Sequence, residues 1–179
     1  MAITMATGVS IAAAADDSIY VKGAELYTIT NLHPEPTNLR LYSTNYQLVG
    51  LIKRCTKVTI NSIKKKKMVF TTPDGLEYDY LWQKYAMEPL PQHLELFFGA
   101  ECDEGVIAKL SEIDQKGFKR GEALVGMSRQ GVIYAIGYPP KHVNPNIDGM
   151  DSWTYWRNKF SRFIVHFNEE TGLVEEIQK

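Results

Sequence analysis

The sequence predicts an α+β protein, a small all-β barrel followed by an ααβββ module with two helices packed on a three-stranded antiparallel sheet. Three observations carry that reading. Up to about residue 98 the apolar residues alternate with period two or fall in short β-branched and aromatic runs. Beyond Gly99 the spacing becomes helical, with Val106, Ile107, Leu110 and Ile113 at i, i+1, i+4 and i+7. The chain then closes on three runs rich in aromatic and β-branched residues, separated by turn formers. At 179 residues, 44% of them hydrophobic, it is long enough for one large core or two small ones.

Taken in order, residues 1–15 carry no charge and end in Ala12-Ala13-Ala14-Ala15 before Asp16-Asp17. An apolar stretch closed by small residues is the pattern of a secretory leader, and it predicts export to the periplasm or cell envelope. Residues 16–98 form the expected barrel. Its strands are read at residues 26–29, 39–42, 58–60, 68–71 and 76–82, where apolar and polar residues alternate or β-formers cluster. The four lysines at 64–67 make a charged hairpin tip that guards against edge pairing. Pro73-Asp74-Gly75 makes the next tight turn, with Pro fixing φ and Gly accepting positive φ.

A boundary is expected near residue 99, with Pro89-Leu90-Pro91 as a competing position. Residues 99–179 then form the second unit. A helix is predicted over 103–116, closed by Gly117. Ser128 is placed to cap a second, short helix whose apolar face is Val132, Ile133 and Ile136; Gly137 ends it and Pro139-Pro140 prevents its continuation. A loop over 141–150 leads into strands at 153–157, 162–167 and 173–177, the last two joined by a turn at 168–172.

Charge and chemistry narrow the function. Twenty Lys plus Arg against 21 Asp plus Glu leave no field to steer the chain onto nucleic acid. No run reaches the roughly 20 apolar residues of a transmembrane helix. Cys55 and Cys102 are either a disulfide or two buried thiols, and two cysteines cannot by themselves make a structural zinc site. His33, His93, His142 and His166 are scattered without metal-ligand spacing, so no metal or cofactor is expected. Gly126-Met127-Ser128-Arg129-Gln130-Gly131 resembles a hydrolase nucleophile elbow, but its last glycine falls one residue too far, and a helix cap is the better reading. The paired acids Asp103-Glu104, Glu169-Glu170 and Glu175-Glu176 point to opposite sides of a strand or sit in a helix's first turn. These features predict a non-catalytic binding protein.

The aromatics mark the candidate contact surface. Strand alternation places Trp153 and Tyr155 on one face and Thr154 and Trp156 on the other, and helices on one side of the sheet would bury only one of these sets. Trp is the residue type most enriched at interface hot spots. The expected binding residues are Trp156, Arg157 and Arg162, with Tyr138 and His142 from the adjoining loop. An alternative is cell-wall binding, in which Tyr42, Tyr46 and Tyr80 of the first unit stack on peptidoglycan glycan.

The order Gly126-Met127-Ser128, a helix through Val132, Gly137-Tyr138-Pro139-Pro140, a loop, Trp153-Thr154-Tyr155-Trp156 and then Phe163 to Phe167 resembles the SmpA/OmlA (BamE) family of small envelope proteins. That family's ααβββ unit is also the unit of β-lactamase-inhibitor-protein-like domains. The resemblance covers roughly the last 80 residues and implies a non-catalytic domain that assembles or stabilises outer-membrane proteins, or holds an envelope protein partner. The preceding half is similar to an SH3-like barrel of bacterial envelope proteins.

Overall fold

The computed structural model describes residues 18–179, so the leader expected at 1–15 lies outside the described residues. The protein is α+β, with a curled, half-barrel sheet of six strands, a three-stranded antiparallel sheet and a few helices.

The first sheet is built from β1 (Glu25–Thr28), β2 (Arg40–Tyr42), β3 (Lys57–Lys64), β4 (Lys67–Thr71), β5 (Glu77–Leu81) and β6 (Phe98–Gly99), in the order β2-β5-β4-β3-β1-β6. Every pairing is antiparallel except β2 with β5. Among the described residues the sheet does not close: β2 and β6 stand at opposite edges, so the expected barrel is an open half-barrel. Alternation is visible in the burial of β4 and β5, where Met68, Phe70, Tyr78 and Tyr80 face inward. The lysine hairpin is present, with Lys64 directly opposite Lys67, and the Lys67 ammonium lies 2.7 Å from Asp79. Pro89-Leu90-Pro91 opens a short helix, α1 (Leu90–Leu94), which inserts Leu90 and Leu94 into the same core. Proline is tolerated there because the first helical N–H groups have no intrahelical acceptor.

The helix expected over 103–116 is a correction. Residues Glu104–Lys109 form a 3-10 turn with no buried residue, and α2 runs Glu112–Arg120. Two local signals outweigh the apolar stripe. The Asp103 carboxylate accepts from the Gly105 N–H at 2.8 Å, and the Ser111 hydroxyl oxygen accepts from the Asp114 N–H at 3.2 Å, which restarts the helix. Gly117 lies inside α2, where Met127 packs against its bare Cα, and Gly121, at φ +68°, is the true C-terminal stop.

The second helix, α3 (Arg129–Ile136), begins on Ser128, whose hydroxyl accepts from the Gly131 N–H at 2.9 Å, and stops at Gly137. The three C-terminal strands, β7 (Ser152–Asn158), β8 (Ser161–Phe167) and β9 (Val174–Gln178), pair in sequence order. Trp153, Tyr155, Phe163, Val165 and Phe167 meet Met127, Val132, Ile133, Ala135 and Ile136 in a second core. Full burial of such aromatic and aliphatic side chains stabilises by about 1.5–3 kcal/mol each, less the entropy of ordering them.

The two cores touch at Tyr138, which packs against both. Around it residues 31–47 of the first half complete the end of α3. The last four carbonyls of a helix have no intrahelical donor to spare. That of Ile133 accepts from Gly137 N, that of Tyr134 from Asn31 N at 2.9 Å, and that of Ala135 from Asn31 Nδ2 at 3.2 Å. The Ile136 carbonyl accepts from Asn45 Nδ2 at 2.8 Å and Gln47 Nε2 at 2.9 Å. A disulfide joins Cys55 to Cys102, with Cα atoms 5.4 Å apart, which decides between the two readings of these cysteines.

Candidate binding surfaces

Strand β7 sorts its aromatics by parity. Trp153 and Tyr155 are 1% and 0% exposed and form the base of the second core, while Trp156 lies on the opposite face, half-buried. The Trp156 indole is held in place: His142 stacks on it at 5.4 Å and 28°, and the Tyr85 ring packs on His142, tilted, at 4.9 Å. Arg162 of β8 is the cross-strand partner of Trp156, so a cation stands beside the ring on the same face. At the end of this hairpin Phe160 is 86% exposed, with the Lys159 ammonium 4.7 Å from its ring centre.

The structure brings three of the five expected binding residues together and separates the other two. Trp156, Arg162 and His142 form one patch. Arg157 leaves it, because the next residue along a strand turns to the other face. Its guanidinium lies 5.3 Å over the ring of Phe163, on the core side of the sheet. Tyr138 sits at the junction of the two cores, edge-on to Phe97 at 6.4 Å, and burial pushes its phenol pKa up. It is a joint residue. Phe160 carries no signal in the sequence, since a single aromatic in a polar turn has no period.

The glycan platform is also altered. Tyr42 and Tyr46 form a tilted pair at 5.3 Å, but Tyr80 is 2% exposed and lies in the first core. There its hydroxyl is 3.0 Å from His93 Nε2, and His93 Nδ1 is 2.7 Å from Glu88 Oε1. Burial pushes the Tyr80 phenol well above its ordinary range. For Glu88, burial pushes the carboxyl up, but the hydrogen bond from His93 and the positive charges of His93 and Lys141 outweigh it and hold the pKa below the usual carboxylate value. Three residues 5 to 13 positions apart carry no spacing signal, and the network forms only because β5 and α1 pack together.

On the far side of the second sheet a cleft of about 640 Å³ lies between the 47–51 loop, the 120–125 turn and the core-side end of the sheet. Its walls include Leu48, Leu51, Leu124, Val125, Phe163 and Ile177, and its charged residues are Arg120, Glu122, Arg157 and Lys179. His33 stands at its inner end, its Nε2 3.2 Å from the Ala135 carbonyl oxygen. Burial lowers the His33 pKa and favours the neutral ring. The cleft was not legible in the sequence, since its walls come from stretches scattered between His33 and Lys179.

Among the described residues no three His, Cys, Asp or Glu side chains are grouped to hold a metal ion, and no helix is long and apolar enough to cross a membrane. Comparison of the chain with family models, with curated proteins and with solved structures finds no match.

Proposed function

We propose that this chain is an exported, non-catalytic protein that binds another protein of the cell envelope through the outer face of its C-terminal sheet. The observation that carries the reading is the half-buried Trp156, clamped by His142 and flanked by Arg162, on a sheet face that the helices leave uncovered. A pre-ordered aromatic ring beside an arginine loses little side-chain entropy on binding and matches the residue types that dominate interface energetics. Exposed Phe160 extends the surface at its rim.

Two further features support the envelope assignment. The Cys55–Cys102 disulfide fits an oxidising compartment, and the uncharged stretch ahead of Asp16 fits a secretory leader. The order of helix cap, short helix, Pro-Pro loop and aromatic strands supports a role of the SmpA/OmlA (BamE) kind.

The test is affinity capture from a detergent-solubilised native envelope with residues 16–179 as bait. A protein retained by the native bait and lost with Trp156→Ala, while the melting temperature falls by only a few degrees, bears the reading out. Retention of wall fragments in sedimentation with purified peptidoglycan, unaffected by Trp156→Ala, replaces it with cell-wall binding.

A further inference from the structure

The two edges of the C-terminal sheet are treated differently. The outer edge of β7 is closed: the Gln47 N–H donates to the Trp156 carbonyl at 2.8 Å, and the Asn144 amide exchanges hydrogen bonds with both backbone groups of Thr154 at 2.8 and 2.9 Å. The outer edge of β9 is covered only at its start, where Val174 bonds to Gly126 and Met127 and Leu173 bridges to Ser128. From Glu175 to Gln178 that edge has no strand beside it among the described residues. An open edge presents unpaired N–H and C=O groups and is a template for a further strand.

The open edge borders the cleft, since Ile177 and Lys179 line it. The cleft's lining also includes exposed apolar residues: Val49 is 93%, Val125 57% and Leu51 37% exposed. Three cations, Arg120, Arg157 and Lys179, share the cleft with one acid, Glu122, and none of the three makes an ion pair among the described residues. Glu175 and Glu176 flank the open edge, so an all-acidic strand would be repelled there, and the excess positive charge lies at the Lys179 end.

We propose that an extended segment of a partner protein adds as a fourth strand on the free edge of β9, seating alternate aliphatic side chains in the cleft and one carboxylate among Arg120, Arg157 and Lys179. Main-chain hydrogen bonds supply affinity and the cleft selects the side chains. This surface lies on the other side of the sheet from the Trp156 patch and does not depend on it.

Selection of a random library of displayed linear heptapeptides on the full chain tests the proposal. The expected peptides carry aliphatic residues at alternating positions and one Asp, Glu or free terminal carboxylate. In a synthetic copy of the best binder, N-methylation of every second amide lowers affinity tenfold or more, and methylation of the intervening amides is tolerated. The Arg120→Glu/Arg157→Glu variant loses tenfold or more; because both side chains are on the surface it melts near the parent, and Lys179→Glu gives the same loss in smaller measure. Trp156→Ala binds the peptide as the parent does, which separates failure of this site from failure of the Trp156 patch. No enriched peptide, equal binding by the charge-reversed chains, or indifference to N-methylation overturns the proposal.

Discussion

The two cores are held by different means. The first half wraps its six-stranded sheet around its own aromatics, plugs the end with α1, and is tied by the disulfide to the segment that follows β6. The second half buries a comparable aromatic set under α2 and α3, but the last three carbonyls of α3 are satisfied by Asn31, Asn45 and Gln47 of the first half. The second core therefore depends on a neighbour for hydrogen bonds that a free-standing helix would leave to water. The dependence therefore has a direction: loosening the first half should loosen the second, whereas the reverse effect should be weaker.

The largest break in this comparison is within one strand. Trp153→Ala empties a site in the second core and should cost about 3–5 kcal/mol, while Trp156→Ala, three residues on and half-buried, should cost about 1 kcal/mol; denaturant melts of the two variants measure the gap. Removing the staple comes next. Replacing Cys55 and Cys102 by Ser opens a loop of sequence separation 47, for which loop entropy gives about 4 kcal/mol, read as a fall in denaturant midpoint.

The joint can be cut more finely. Asn45→Ala withdraws the donor shared by the Ile136 and Tyr138 carbonyls and should cost about 1–3 kcal/mol, because it leaves buried carbonyls underpaired. Amide hydrogen exchange should show the loss first in α3 and β7, with β3 and β4 protected as before. If β3 and β4 open first, the direction of dependence is reversed.

The smallest expected effect is that of pH. His33 has a folded pKa below its ordinary value of about 6.5, so the unfolded chain takes up its proton first. Its contribution is present above about pH 6.5 and is lost as pH falls toward the folded value. Glu88, also depressed, adds a second loss through the carboxylate range, present above its ordinary pKa and gone below the folded one. Thermal melts from pH 7.5 to 3 should fall in two stages. His33→Gln should remove the upper stage and Glu88→Gln should flatten the lower.

Much of the local structure was legible in the residues themselves. Ser128 capping α3, Gly137 stopping it, the Lys64-to-Lys67 hairpin and the parity of Trp153, Tyr155 and Trp156 all rest on interactions within a few positions of the chain. The helix start at Ser111 was readable too, since a Ser three residues before Asp114 is a capping signal, but the apolar stripe from Val106 to Ile113 concealed it. That stripe is a pattern without a partner: Val106 and Ile107 have no core beneath them, and periodicity alone cannot supply one.

Caps, turns and alternation are short-range properties of the chain, and they carried the class of the molecule, most of its strands, the second helix and the sorting of the β7 aromatics onto two opposite faces. Long-range packing set which face of β7 is core, that the first sheet stays open among the described residues, that Cys55 meets Cys102, that Tyr80 is core, that Arg157 parts from Trp156, and that one edge of the last sheet is covered while the other borders a cleft. Each of these depends on which distant surfaces come to lie against one another, and the free energy of that choice is summed over contacts between residues tens of positions apart, none of which leaves a period or a spacing to be read.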